Sequence, residues 1–483
     1  MIDYIALNPD IGLVAPEVAL LLAAFLILIF IPFRRMPSWA PGIAFIGLVV
    51  SFIFALRQWF ADPQSGFAGM VTCDDFGIAF KLLFILTAFL TLFIAQRFLK
   101  AKGLDKPEFY ALLLFSAMGM MAMANTTDLV VMFLGLEIMS VPLYVMAGLN
   151  RRNLESNEAG IKYFFMGAFA TAFLLMGIAF VYGASESTNL RRIVADFSYI
   201  AASNPVYLYG GISLILIGFG FKVAIVPFHT WVPDVYQGAP TPITGFFSVG
   251  PKAAGFAVLL RIFMYGFAEV SILPGVFWVL AVLTMTVGNV LALRQDNVKR
   301  MLAYSSIAHA GYILVALTVG GGEAIAAAFF YLVAYMVFNL GAFAVVTAME
   351  TRSGMRSDFT ELAGLSKAHP FLSASLALFM FALSGFPPTV GFFGKFYIFA
   401  AAVKSGYIIL AVIGVLNSFL SVYYYLRVIK VSYFDELEGT FVPVPVSPTM
   451  FVALCITVIG TLGLGLFPQQ LLHLSQSAIF AFL

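Results

Sequence analysis

Apolar residues run unbroken for about twenty positions at a time, and turn residues or charges separate the runs. Fourteen such runs stand out: 12–33, 40–60, 75–98, 108–125, 128–149, 158–183, 206–228, 240–264, 271–293, 298–319, 323–349, 370–401, 406–430 and 448–467. A helix needs about 20 apolar residues to cross the hydrocarbon core of a bilayer. A barrel strand would alternate apolar and polar positions, and these runs do not. With no water at membrane depth, the backbone must close its own hydrogen bonds, so the pattern predicts spanning helices. The first run ends in Arg34-Arg35 without a small-residue cleavage site, which reads as a retained helix and not a signal peptide.

Composition agrees. Of 483 residues, 62% are apolar and only 10% charged, against about 25% charged in soluble domains. This excludes a cytosolic globular enzyme, a disordered chain and a nucleic-acid binder. The fold class is an all-α polytopic membrane protein seated in a lipid bilayer.

The net charge of +2 says little until the 26 Lys and Arg are placed. Sixteen follow odd-numbered spans: Arg34, Arg35, Arg97, Lys100, Lys102, Lys106, Arg151, Arg152, Arg294, Lys299, Arg300, Arg352, Arg356, Lys367, Arg427 and Lys430. Five lie on the other side: Arg57, Arg191, Arg192, Arg261 and Lys404. Positive charge collects in cytoplasmic loops, so both termini are expected on the non-cytoplasmic side. Only Arg191-Arg192 argues against this.

Cys73 falls in a loop and Cys455 in the last span, with no C-x-x-C and no Cys/His cluster, so neither an iron–sulfur nor a zinc site is expected. Gly463-Leu464-Gly465 follows no strand and is no dinucleotide fingerprint. No cofactor or metal site is therefore expected on this chain.

The other five basic residues, Lys81, Lys162, Lys222, Lys252 and Lys395, fall inside spans. A charge at mid-membrane costs about 2.5–3.5 kcal/mol on insertion scales and marks function by default. Glu137 lies nine residues past Asp128, about 14 Å along a helix, too deep to snorkel. Lys222, Lys252 and Lys395 are comparably isolated from other charges. Lys162 and Lys81 sit nearer span ends, where snorkelling competes with function. His309 is deep, and a proton-relay role competes there with a hydrogen bond to a neighbouring helix. For His229, beside Trp231 at a span end, an interfacial role competes.

Prolines accompany the four deepest charges. Pro142 follows Glu137 by five residues and Pro227 follows Lys222 by five; Pro251 precedes Lys252, and Pro387-Pro388 precede Lys395. A helical proline frees the carbonyl four residues before it, here those of Ile138 and Val223. Prolines are frequent in spanning helices anyway, but four pairings out of four predict helix breaks beside the charges. Such backbone is tolerated only inside protein or along a watered cavity. Desolvation opposes the charged forms of amines and carboxyls, so buried ones exchange protons near neutrality. A row of them suits proton transfer better than holding a large ligand. No nucleotide or redox centre is visible to drive it, so the driver is a partner or an ion gradient.

The breaks expected at Pro227 and Pro387-Pro388 fall in spans seven and twelve. Five is odd, so the two cross in opposite directions, as in inverted five-helix repeats. This divides the chain into residues 1–107 (three helices), 108–264 (spans four to eight), 265–430 (spans nine to thirteen) and 431–483 (a last span and tail).

Three stretches carry a family resemblance: FKVAIVPFHTWVPDVYQGAPTPITGFFSVGPKAAGFAVLLR (221–261), NVKRMLAYSSIAHAGYILV (297–315) and SGFPPTVGFFGKF (384–396). They closely resemble the antiporter-like subunits of respiratory complex I and of multi-subunit cation/proton antiporters. The run NEAGIKYFFMGAFATAFLLMGIAFVYG (157–183) and a lysine at 395 are most similar to the subunit N branch. A glutamate stands at that place in subunit M, and subunit L carries a long lateral helix and extra spans. The resemblance implies proton-transfer roles for Glu137, Lys222, Lys252 and Lys395, with Lys162, His309 and His229 as secondary candidates. It also implies a proton-translocating NADH-quinone oxidoreductase in a bacterial inner membrane. Neighbouring membrane subunits would be the partners. FMN, iron–sulfur clusters and quinone would sit in other subunits, and NADH and quinone would be substrates of the whole complex. The alternatives are a Na⁺/H⁺ antiporter subunit and a passive scaffold.

Overall fold

The computed structural model describes residues 11–32, 39–351, 357–436 and 446–480. Arg34, Arg35, Arg352 and Arg356, four of the orienting charges, lie outside the described residues, as do parts of the expected tail. The helices run in order α1 Ala15–Phe30, α2 Ala40–Trp59, α3 Asp75–Ala101, α4 Pro107–Ala124, α5 Leu129–Ala147, α6 Leu154–Ser185, α7 Leu190–Ala195, α8 Phe197–Ser203, α9 Pro205–Val223 and α10 Trp231–Gly238. They continue as α11 Thr241–Leu260, α12 Leu273–Ala292, α13 Val298–Val319, α14 Gly321–Glu350, α15 Leu365–Ala368, α16 Pro370–Ser384, α17 Val390–Lys404, α18 Ile408–Phe434, α19 Pro448–Leu466 and α20 Pro468–Phe480. Among the described residues, thirteen helical segments are long and apolar enough to cross a membrane; the run expected at 370–401 is split between α16 and α17. Each of the fourteen expected spans thus has a helical counterpart, and the chain is a multi-pass membrane protein.

Polar caps set several helix starts. The side chains of Asp74, Asp128, Asn153 and Asn297 each accept a backbone N–H from the first turn of α3, α5, α6 and α13, which satisfies donors the helix cannot. The pattern of apolar runs missed a hairpin of β1 Gln64–Gly66 and β2 Val71–Cys73, the short α7 and α8, and α20. Cys73, expected in a loop, ends β2 and is buried. α11, α13 and α14 are buried on nearly all sides and form the centre of the bundle. α12 meets α13 backbone to backbone. A Cβ on Gly288 would lie 2.6 Å from Ala308 N and one on Gly311 2.4 Å from Met285 N.

The breaks expected in spans seven and twelve are present and share one hydrogen-bond pattern. Ala224 (φ 64°) and Gly385 (φ 83°) are both left-handed. The N–H of Ala224 donates to Phe221 O and that of Ile225 to Gly220 O. Likewise Gly385 donates to Ala382 O and Phe386 to Phe381 O. Each pattern closes its helix as a left-handed cap does, and a proline three residues on, Pro227 or Pro388, prevents a restart. Span ends pair in a matching way: Asp128 bridges to Asn189, and Asn297 to Asp358.

Two expected breaks are corrected. Pro142 and Pro251 lie inside continuous helices, α5 and α11. A proline removes one intrahelical bond, and packing restores the rest: both rings are buried against neighbouring helices.

The second break is tightly fitted. A Cβ on Gly391 would lie 1.9 Å from Ala382 O, across the gap between α17 and α16. Gly391→Ala must therefore push the two half-helices apart. The expected cost is about 1–3 kcal/mol, read as a lower midpoint of thermal denaturation in detergent; an unchanged midpoint would contradict the fit.

Candidate functional site

Lys222, Lys252 and Lys395 are 4%, 2% and 4% exposed, so the helices enclose all three amines. Among the described residues none of the three forms an ion pair. Dipoles and aromatic faces hold them instead.

Lys222 lies two residues before the left-handed Ala224, at the end of α9. Its Nζ donates to Tyr163 Oη at 3.2 Å and sits 5.0 Å and 5.4 Å from the ring centroids of Tyr163 and Tyr144. Tyr163 in turn stacks on Trp231, 4.4 Å between centroids and 6° between planes. Trp231 Nε1 donates to Phe221 O, so the first residue past the break fastens the helix end that carries Lys222. Gly167 leaves room for the box: a Cβ there would be 2.2 Å from Tyr144 Oη.

Lys252, midway along α11, donates through Nζ to Ser306 O of α13 and lies 5.8 Å from the Tyr335 ring. Lys395 crosses the second break. Its Nζ donates to Leu383 O at 3.0 Å, Ser384 O at 3.1 Å and Ser418 Oγ at 2.9 Å. The two carbonyls end α16, where a helix carries partial negative charge. The break therefore supplies the acceptors that hold the amine. Tyr312 adds a ring face at 4.9 Å. Cation–π contacts of this kind contribute about 2 kcal/mol or more once desolvated.

His309 is buried, with its ring 5.1 Å from that of Tyr335, which faces Lys252, and 5.6 Å from that of Tyr312, which faces Lys395. Its Nδ1 meets Tyr331 Oη at 2.6 Å and its Nε2 meets Tyr425 Oη at 3.0 Å. Tyr425 Oη continues to Ser305 Oγ at 2.5 Å. A second thread links Tyr312, Asn289 and Tyr424: Asn289 Nδ2 donates to Tyr312 Oη at 3.1 Å, and Tyr424 Oη donates to Asn289 Oδ1 at 2.8 Å. Sequence reasoning missed these tyrosines because it searched for charge. A tyrosine carries none at neutral pH and hides among the aromatic residues of a spanning helix.

Glu137, midway along α5, is only partly buried within the chain, on a face where Leu134, Val141 and Val145 are exposed. Thr171 Oγ1 of α6 donates to its carboxylate at 2.9 Å, and its charge acts on Lys222.

The secondary candidates separate. Lys162 is 40% exposed and pairs with Glu158 at 2.6 Å and Asp234 at 2.7 Å, and Asp234 also takes Arg300 at 2.7 Å. This is a surface network. His229 is half-buried in the first break itself. Lys81 is corrected: it does not snorkel but is wholly buried, 2.9 Å from Glu17 of α1 and hydrogen-bonded to Gln58 of α2. It clamps the three N-terminal helices together. Arg261, counted among loop charges, is also buried and bidentate on Asp74 at 2.8 and 2.9 Å.

The row of amines without ion-pair partners, one imidazole and their hydroxyl partners can store and hand on protons.

A family profile described as "NADH:quinone oxidoreductase/Mrp antiporter, TM" matches residues 126–421. The chain is 44% identical over 474 residues to the NADH-quinone oxidoreductase subunit N of Trichlorobacter lovleyi, covering 97% of each. It is similar to a chain of respiratory complex I from Thermus thermophilus with bound aureothin, with TM-score 0.81 and 34% identity over 95% of this chain and 99% of that one. A chain of the Mrp complex from Dietzia sp. DQ12-45-1b shares the fold, with TM-score 0.85 at 23% identity over 97% of each.

Proposed function

The chain belongs to the NADH:quinone oxidoreductase/Mrp antiporter transmembrane family, and on that premise we propose that it is the proton-translocating subunit N of an NADH-quinone oxidoreductase. The observation that carries the relay is the set of three enclosed lysines without carboxylate partners, strung across α9, α11 and α17 with His309 between the last two. Glu137 stands at the outer end, where its charge biases Lys222 and where a neighbouring subunit covers the exposed α5 face. When Glu137 is charged it favours a loaded Lys222; when it is neutralised the proton on Lys222 is freed to move on. Oxidation of NADH and reduction of quinone in other subunits supply the work, about 2.3 kcal/mol per charge for each 100 mV of membrane potential. Lys162, His309 and His229 are secondary groups of the relay.

The chain sits in the bacterial inner membrane with both termini on the non-cytoplasmic side, a reading that the bias of its basic loops supports. Residues 108–264 and 265–430 are inverted repeats; the matched caps at Ala224 and Gly385 support this division. Residues 1–107 and 431–483 flank them.

A second reading, a subunit of a multi-subunit Na⁺/H⁺ antiporter, has the fold likeness to the Mrp chain in its favour. The two part on extraction in a mild detergent through an affinity tag on this chain. The oxidoreductase reading expects flavin, iron–sulfur clusters and NADH–ferricyanide activity to accompany it; a colourless set of small membrane subunits would reject it. In the assembled complex, Lys252→Ala and Lys395→Ala are each expected to lower NADH-driven proton uptake by inverted vesicles at least fivefold.

A further inference from the structure

A polar cavity of about 340 Å³ enters the bundle where α13 begins and α14 ends. Exposed Asn153 and Glu155 stand at its rim, and Lys299 and Glu350, 5% and 9% exposed, at its floor. The Lys299 amine is 3.6 Å from the Glu350 carboxylate and donates to Ala239 O at 2.8 Å. Thr241 and Ser357 donate their hydroxyls to the two oxygens of Glu350. A polar space of this volume holds on the order of ten waters. The connections around it after α3, α5, α10 and α12 all lie on the side that collects basic residues.

A buried ion pair is weak evidence for a stabilising role, because apolar residues of like volume often do as well. This pair also lies in line with the relay. Ser306 follows Lys299 by seven residues on α13, about 10 Å and two turns along the same face. Its carbonyl is the acceptor for the Lys252 amine.

We infer that the Lys299–Glu350 pair is a loading site, where protons from this cavity enter the Lys252 end of the relay. This rests on the relay proposed above. The carboxylate of Glu350 takes a proton from cavity water and becomes neutral. The Lys299 ammonium, its counter-ion gone, gives up its proton toward Lys252. The proton on Glu350 then passes to the neutral amine, and the ion pair is restored. One proton leaves the cavity and one reaches Lys252 per cycle.

The test uses the assembled complex in inverted vesicles. Glu350→Gln keeps the side chain's shape and one accepting oxygen, and its NH2 can donate to the other hydroxyl, but it cannot be charged. It is expected to cut NADH-driven proton uptake at least fivefold with normal NADH–ferricyanide activity. Glu350→Asp keeps the charge and is expected to retain at least half the rate, with a displaced pH of half-maximal uptake. Lys252→Ala runs alongside. Uptake by Glu350→Gln within twofold of wild type, while Lys252→Ala fails, overturns the loading site and leaves the relay standing. Full uptake by Lys252→Ala overturns the relay. If Glu350→Gln does not assemble, Glu350→Asp decides: an unmoved pH profile overturns the inference.

Discussion

Lys222→Ala is expected to abolish NADH-driven proton uptake, by at least tenfold or about 1.4 kcal/mol in barrier terms, in a complex that still assembles and oxidises NADH with ferricyanide. The amine has a tyrosine hydroxyl and two ring faces for partners and no carboxylate, so its removal orphans no buried anion. Lys222→Arg sharpens the test. An arginine keeps the positive charge and the aromatic contacts but does not release its proton in proteins. If the charge served only to hold the box together, arginine would rescue; if the proton must leave, arginine is as inactive as alanine. Proton uptake followed by a pH-sensitive dye in inverted vesicles reads the difference. Wild-type rates in both variants would remove Lys222 from the relay.

Asp74→Ala is expected to have the largest effect on stability. Arg261 is 1% exposed; Asp74 holds it with two hydrogen bonds, Ala124 O takes a third at 2.8 Å, and Phe76 lies 4.8 Å beneath it. Loss of the carboxylate strands a buried guanidinium, at a cost of about 3–5 kcal/mol. It also removes the cap of α3, worth about 1 kcal/mol. Asp74→Asn keeps a capping oxygen, so it should lie between alanine and wild type. Burial alone would raise the Asp74 carboxyl. Arg261 and the Gly77 N–H outweigh that and hold it below its ordinary 3.8. Because the folded value is the lower one, the contribution is complete at neutral pH and fades only as the pH falls below 3.8. Thermal denaturation in detergent at pH 7 and pH 5 should therefore show the same Asp74→Ala deficit. A deficit that vanishes at pH 5 would contradict the pair.

The spans were legible because each is a property of one stretch of chain: an apolar run of bilayer length. The break at Pro387-Pro388 was legible because two prolines in a row follow Gly385; at Pro227 only the proline itself marked the break, since the left-handed Ala224 is by type a helix former. Pro142 and Pro251 misled, since whether a proline breaks a helix depends on what packs around it, and both helices are held in place by neighbours. The buried lysines were visible as charges in apolar surroundings. Their partners were not. Glu17 for Lys81, Asp74 for Arg261 and Glu350 for Lys299 are joined across 64, 187 and 51 positions, and such pairings leave no local mark. Lys299 and Arg261 even looked like ordinary loop charges, because each lies at the end of its run.

The way Lys395 is held has a consequence for traffic along the row. Backbone carbonyls and a hydroxyl cradle its amine. When the proton departs, what stays behind is a neutral amine among dipoles, with no stranded anion pulling the proton back. Each handover thus moves net positive charge through the protein interior. A filled seat discourages filling of the next, so occupied and vacant sites are expected to alternate, and the row advances like a queue in which each move waits for the place ahead to empty.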